Sequence, residues 1–129
     1  MIFVDTSIWV TSLRDRLSPA ALHLRALLEQ DQVALAAIVR IELLSGASRK
    51  DLPKLRRTLS ALPVFYPTER TWQRIDTWVE TAVAAGERFG VADLLIAAIA
   101  SEQGGALWSA DADFARMSRM RLIESHSPA

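Results

Sequence analysis

Short apolar segments alternate with helix-forming segments along this chain of 129 residues, and this alternation restricts the fold more than any other feature. Strands buried on both faces are continuously apolar, and parallel strands are joined by helices that cover the sheet. We therefore predict an α/β fold, a three-layer α/β/α arrangement with a short-stranded, mainly parallel central sheet. The predicted strands are residues 2–4, 33–36, 64–66, 106–108 and 122–123.

The segments between these strands have helical spacing and recognisable helix ends. Ser18 places a capping hydroxyl before Pro19, and Gly46 and Gly86 follow periodic segments where helices commonly end. The segment VADLLIAAIA, residues 91–100, is apolar on all sides, which predicts a helix buried deep in the protein. The predicted helices are residues 6–13, 18–30, 37–46, 51–62, 68–86, 91–103 and 111–117.

The composition excludes several kinds of site. Half of the residues are apolar, enough for the core of one domain spanning residues 1–129. Cysteine is absent, which excludes disulfides and zinc–thiolate sites and suits a reducing, cytoplasmic location. His23 and His126 are the only histidines, so a histidine base has little support. No apolar stretch is longer than residues 94–100, which is far shorter than the roughly 20 residues that span a bilayer, so no membrane association is expected.

The charged residues balance, with 15 basic and 15 acidic side chains, so the chain lacks a strongly basic surface for nucleic acid. Lys50 and Lys54 are the only lysines, and the other cations are arginines. The planar guanidinium group of arginine matches the geometry of a phosphate group. A coding sequence rich in G and C would produce the same preference, and the composition leaves both explanations open.

Acidic residues occur at four places in or beside apolar segments, where an unpaired charge is costly. Asp5 follows the first predicted strand and Asp111 the fourth, while Glu42 and Asp93 lie within predicted helices. Because ligands of parallel α/β folds bind beyond the carboxyl ends of the strands, we expect these acids at one edge of the sheet. In particular, Asp5, Glu42 and Asp93 are expected to lie close enough to share one ion.

Each acid also has a purely structural explanation. Asp5 fits a helix N-cap, and so does either Asp111 or Asp113, whose partner would be an exposed acid of the first turn. Glu42 fits a partly exposed helix position beside an arginine, and Asp93 fits the positive end of a helix dipole. Taken together the acids favour a bound cation, because converging carboxylates cannot all stay ionised without one. Oxygen ligands of this kind favour Mg²⁺ or Mn²⁺.

A carboxylate cluster that holds one or two Mg²⁺ ions suits phosphodiester hydrolysis. The ions generate hydroxide from bound water and stabilise the leaving oxygen, so no side-chain nucleophile is required. Thr6 and Ser7 are placed to orient the carboxylates or water. The chain contains neither GxxxxGK[ST] nor GxGxxG, which argues against sites for nucleoside triphosphates and dinucleotides.

Four motifs in series carry a family resemblance: FVDTSIWV near the start, IELLSGA, VADLLIAAIA, and WSADADF near the end. In their order and separations the sequence resembles the PIN-domain family and, within it, the VapC-type ribonuclease toxins of bacterial toxin–antitoxin pairs. The resemblance covers almost the whole chain and implies a PIN-like fold.

The resemblance assigns roles to individual acids. It implies that Asp5, Glu42 and Asp93 are the core metal-binding and catalytic acids, with Mg²⁺ or Mn²⁺ as the cofactor. The fourth acid is Asp111 or Asp113, and we favour Asp111 because it is closer to the strand end. Ser109 stands where relatives often carry threonine, and it joins Thr6 and Ser7 as a residue that supports the acids.

The resemblance also implies partners. Members of the family cut RNA (tRNA, rRNA or mRNA), commonly as homodimers, and form heterotetramers or larger assemblies with a VapB-type antitoxin, which alone binds operator DNA. Arginines that follow the first and last motifs would hold the RNA backbone, although a solvated charged surface explains them equally well. These arginines are Arg14, Arg16, Arg116 and Arg119.

Two other functions remain compatible with the sequence. One is a non-catalytic PIN-like module that binds RNA or protein, which the intact set of acids argues against. The other is a housekeeping PIN nuclease of RNA processing that has no antitoxin.

Overall fold

The computed structural model describes residues 1–128, which form five strands and seven helices. In chain order these elements are β1 (Ile2–Val4), α1 (Thr6–Arg14), α2 (Pro19–Glu29), β2 (Val33–Ala36), α3 (Ala37–Gly46), α4 (Leu52–Ser60), β3 (Val64–Phe65), α5 (Glu69–Ala84), α6 (Val91–Glu102), β4 (Ala106–Trp108), α7 (Ala112–Arg119) and β5 (Glu124–Ser125).

The five strands form one parallel sheet in the order β3-β2-β1-β4-β5, flanked by the helices. The predicted α/β fold with a short-stranded parallel sheet is confirmed. β1 lies in the middle, where Ile2 pairs with Val33 of β2 and with Ala106 of β4. The chain first adds strands on one side of β1 and then on the other, so strand order reverses between β1 and β4. Ligands of such sheets bind beyond the carboxyl ends of the strands at this reversal.

Helix α6 is buried, as its apolar sequence predicts. Ala97, Ala98 and Ala100 are at most 1% exposed, and the helix contacts α3, α5, α7, β2 and β4. Small alanine side chains let these neighbours approach closely, which leaves the helix little freedom to move. The first turn of α6 is therefore fixed in place, and with it Asp93.

The last predicted strand is wrong by two residues, because β5 begins at Glu124 and not at Leu122. Arg121 has a positive φ of 61°, and the backbone N–H of Leu122 donates to the carbonyl of Met117 at 3.0 Å. This bond closes the end of α7 and so removes the N–H of Leu122 from any strand pairing. Ile123, 8% exposed, contributes its side chain to the core.

Other boundaries differ by one or two residues from those predicted. β3 ends at Phe65, because Tyr66 is exposed and precedes Pro67, which has no N–H to donate to a sheet. Within residues 1–128, no helix combines the length and the apolar composition needed to cross a membrane.

The two histidines meet beside the end of β4. The Nε2 atoms of His23 on α2 and His126 after β5 lie 2.8 Å apart, and both rings contact the edge or face of Trp108. The rings are nearly parallel, at 10°, with centroids 5.1 Å apart. This N–H···N hydrogen bond needs at least one neutral ring. Burial, and then the neighbouring His23, lower the pKa of His126.

We expect the histidine pair to make the protein less stable in mild acid. The pKa of His126 in the folded protein is below its ordinary value of 6.5. The contribution of neutral His126 to the free energy of unfolding is therefore present above pH 6.5 and is lost as the pH falls through the lowered pKa. In His126→Asn the loss of unfolding free energy between pH 7.5 and pH 5 should be smaller than in the wild type, by less than about 1 kcal/mol because solvent screens the site. Urea unfolding at the two pH values measures this. Equal losses in both proteins would contradict it.

Candidate active site at the carboxyl edge of the sheet

Asp5 lies directly after the central strand and is 6% exposed. Its backbone N–H donates to the carbonyl of Trp108 at 2.9 Å, which fixes it against β4. Asp5 occupies the N-cap position of α1, but its side chain makes no capping hydrogen bond. The carboxylate instead accepts hydrogen bonds at Oδ2 from the hydroxyls of Ser7 at 2.9 Å and Ser109 at 2.7 Å. A structural N-cap therefore does not account for this acid.

The two serines join the first and last motifs of the chain. The N–H of Ala110 donates to Oγ of Ser7 at 3.2 Å, and the N–H of Asp111 donates to Oγ of Ser109 at 3.0 Å. Each hydroxyl thus accepts from the backbone after β4 while it donates to Asp5. The network holds the buried carboxylate in one orientation and ties it to the start of α7.

Asp93, Asp111 and Asp113 form a compact acidic cluster, in which one carboxylate oxygen of each lies within 4.8 Å of the others. Among residues 1–128 it is the only such group of three or more acidic, histidine or cysteine side chains. Asp93 comes from the first turn of α6. Asp111 is the N-cap of α7 and accepts at Oδ1 from the N–H of Asp113 at 2.9 Å, so here the capping explanation holds alongside the clustering.

Asp5, Glu42 and Asp93, which the sequence predicts to share one ion, do not form a group of carboxylate oxygens within 4.8 Å of one another. Glu42 is exposed on α3, where its Oε1 accepts a hydrogen bond from the Thr6 hydroxyl at 2.9 Å. Asp5 turns toward its two serine hydroxyls, yet its charge still acts on Asp93. Hydroxyl donors therefore orient both carboxylates: Thr6 orients Glu42, and Ser7 and Ser109 orient Asp5.

Burial and the crowding of negative charge both act on the pKa of Asp93. Burial, followed by the charge of Asp111, the hydrogen bond and charge of Asp113 and the charge of Asp5, raises its pKa from 3.8 to about 6. A divalent cation between these carboxylates would relieve the repulsion. Asp93, Asp111 and Asp113 have the spacing to hold one, and their oxygens are the ligands that Mg²⁺ and Mn²⁺ prefer.

Arg116 and Glu87 complete the surroundings of the cluster. The guanidinium group of Arg116 donates to Oε2 of Glu87 at 2.6 Å and to Oδ1 of Asp113, and it lies over the ring of Phe89 at 5.2 Å. From the sequence, Arg116 is predicted only as an RNA contact, and Glu87 is not predicted as part of the site. The sequence feature that could have identified Glu87 is its position in the GERFG loop, which leads directly into the buried helix α6.

The remaining predicted RNA-binding residues lie away from the cluster. Arg14 is in the last turn of α1, eight residues after Thr6, which places it about 12 Å along the helix axis from the acidic edge. Arg16 follows that helix, and Arg119 is the last residue of α7; all three are exposed. Any phosphate that they bind would therefore lie some distance from the carboxylates.

Comparisons with known proteins agree with the fold and the motifs. The PIN-domain family model matches residues 2–120. Ribonuclease VapC11 of Mycobacterium tuberculosis is 32% identical over 132 positions that cover 98% of each chain. VapBC2 from Rickettsia felis, solved with a DNA fragment of its promoter, superposes over 100% of both chains with a TM-score of 0.80 and 21% identity. VapBC-1 from nontypeable Haemophilus influenzae covers 98% of both chains with a TM-score of 0.77 and 20% identity. The chain belongs to the PIN-domain family and is related to its VapC members.

Proposed function

We propose that this chain is a metal-dependent endoribonuclease, the toxin of a toxin–antitoxin pair, that hydrolyses RNA phosphodiester bonds. The observation that carries the proposal is the cluster of Asp93, Asp111 and Asp113, within 4.8 Å of one another beside the buried Asp5. It lies where strand order reverses between β1 and β4. When bound, Mg²⁺ or Mn²⁺ supplies hydroxide from water and stabilises the leaving oxygen.

The acids and their hydroxyl partners have separate roles in this proposal. Asp93, Asp111 and Asp113 would hold the cation, and Asp5 acts on the cluster from the end of β1. Glu42, which lies outside the cluster, is proposed as a further catalytic acid. Ser7 and Ser109 both donate to Oδ2 of Asp5, which directs Oδ1 away from these hydroxyls. Thr6 holds Glu42 in the same way through its hydroxyl. Side chains fixed before the substrate arrives need no reorganisation during the reaction.

The substrate we propose is RNA, because the related ribonuclease shares the whole length of the chain. Arg14 and Arg119 are exposed cations in the last turns of helices that begin at the acidic edge, and Arg16 is exposed just after α1. They are therefore suited to phosphates farther along the RNA strand. Contacts of this kind make RNA affinity fall as salt rises. Arg116 is already engaged by Asp113 and Glu87.

The proposed partner is a VapB-type antitoxin. Structural relatives of this chain are VapBC complexes, and one of them was solved with promoter DNA. We propose a homodimer that forms a heterotetramer or larger assembly with the antitoxin, and that reaches operator DNA only through it. Co-expression with the product of a short neighbouring reading frame tests this, since a stable complex should purify together and lack nuclease activity.

Asp5→Asn is expected to reduce RNA cleavage by more than about a hundredfold, because the neutral amide removes a charge from the cation site. The assay follows the cleavage of a mixture of tRNA and rRNA in Mn²⁺ or Mg²⁺, and EDTA should abolish the activity of the wild type. Asp76→Asn, an identical substitution at an exposed position of α5, is the matched control and should cleave like the wild type. Cleavage in EDTA would contradict metal dependence, and full activity of Asp5→Asn would contradict its role.

A further inference from the structure

Arg116 differs from every other cation in the part of the chain that the structure describes. Both ion pairs found within residues 1–128 belong to it, one with Glu87 and one with Asp113. The three side chains are about one-third exposed, with values of 33%, 30% and 32%. A single guanidinium group therefore connects the loop before α6 to the first turn of α7.

One of its two partners, Asp113, is also a member of the acidic cluster. Arg116 contacts Oδ1 of Asp113, while the same carboxylate places negative charge beside Asp93. A divalent cation among these carboxylates would need the negative charge that Arg116 now neutralises. It would also be repelled by the guanidinium group, since like charges a few ångströms apart interact strongly at a partly buried site.

The second partner, Glu87, gives the guanidinium group a place to remain when it leaves Asp113. The bond to Glu87 is short, at 2.6 Å, and the Phe89 ring lies 5.2 Å from the guanidinium carbon. Both contacts favour a cation and neither involves the cluster. Arg116 can thus release Asp113 without becoming an unpaired charge.

We propose that Arg116 is an internal counter-ion of Asp113 that a divalent cation displaces toward Glu87, so that Arg116 sets the cation affinity of the site. This inference rests on the metal site of the proposed function. Arg116 acts through Asp113, as a positioning residue, and takes no part in bond cleavage. Its effect is thus expected on cation binding, even in the absence of RNA.

The test measures Mn²⁺ binding to the purified full chain by electron paramagnetic resonance, without RNA. Arg116→Gln should bind Mn²⁺ about tenfold more tightly than the wild type, because the competing charge is gone. Glu87→Gln should bind more weakly, because Arg116 then depends on Asp113 alone. In the double variant Arg116→Gln/Glu87→Gln, the loss of Glu87 should lower the Mn²⁺ affinity much less than Glu87→Gln does in the otherwise wild-type protein. Arg119→Gln, on the same helix, is the control for the change in net charge.

The outcomes separate the two proposals. Absence of Mn²⁺ binding by the wild type would overturn the proposed metal site, and this inference with it. The counter-ion role alone would be overturned if the wild type binds Mn²⁺ but Arg116→Gln has the same Mn²⁺ affinity as Arg119→Gln. It would also be overturned if Arg116→Gln binds Mn²⁺ more weakly than the wild type. Circular dichroism checks that each variant is folded. If Arg116→Gln unfolds, Arg116→Met replaces it, since it also removes the competing charge while keeping a long side chain, and an affinity no higher than that of the wild type counts against the inference.

Discussion

Asp93→Asn is expected to lower the rate of RNA cleavage by more than about a hundredfold while leaving the protein folded. Asp93 is held in the first turn of the buried helix α6, within 4.8 Å of Asp111 and Asp113. An amide of the same shape preserves the packing of α6 but cannot supply the charge that holds a cation. Initial rates in Mn²⁺ measure the effect. Expression of the wild type without an antitoxin is expected to arrest growth, and expression of the variant should not.

The same substitution should stabilise the metal-free protein at neutral pH. Because the pKa of folded Asp93 is raised from 3.8 to about 6, its ionised form costs stability, and that cost appears as the pH rises through this range. In EDTA at pH 7.5 the Asn variant should therefore be more stable than the wild type by about 1 kcal/mol, a value reduced by solvent screening. Below pH 4 the difference should disappear.

Urea unfolding in EDTA at pH 7.5 and at pH 3.5 separates a functional effect from a folding effect. An inactive variant that is at least as stable as the wild type would assign the loss of cleavage to the cation site. Full cleavage activity, or a variant that is less stable at pH 7.5, would contradict the role given to Asp93. Asp76→Asn again serves as the control, because it makes the same chemical change on an exposed face of α5.

Phe3→Ala is expected to lower the free energy of unfolding by about 3–5 kcal/mol. Phe3 is 1% exposed in the middle strand, and its ring lies 5.5 Å from the ring of Phe65 on the far side of β2. Gly105 lies under the same ring, where a Cβ atom would come within 2.9 Å of it. Removing the ring leaves a cavity that neighbours fixed in the sheet cannot fill.

The loss expected for Phe3→Ala would be a large part of the total free energy of unfolding, since domains of this size are stable by only about 5–15 kcal/mol. Thermal and urea unfolding measure it. Val79→Ala on α5, where the side chain is 43% exposed, is the matched truncation and should change stability by no more than about 0.5 kcal/mol. A cost below about 1 kcal/mol for Phe3→Ala would mean that the ring is not packed as described. Because Asp5 follows Phe3 by two residues, this packing also anchors the acidic edge.

The sequence by itself determined the order of elements and the type of sheet. The apolar strand Val33–Ala36 predicts burial on both faces, and the apolar segment 94–100 predicts a helix buried on all sides. Both predictions depend only on neighbours in sequence. The ends of α2 and α3 followed from Ser18 and Gly46, since caps and stops are local. Acids after β1 and β4 then had to reach one edge, because parallel strands share it.

Only the tertiary structure decided which side chains meet at that edge. It groups Asp93 with Asp111 and Asp113, turns Asp5 toward Ser109, more than a hundred residues away, and joins Glu87 to Asp113 through Arg116. It also shows that β5 begins at Glu124, because the backbone N–H of Leu122 donates to the carbonyl of Met117 at the end of α7. The periodicity of the sequence places a carboxylate on an element. The register of the sheet, the packing of the helices and the nearest hydroxyl or guanidinium donor determine where it points.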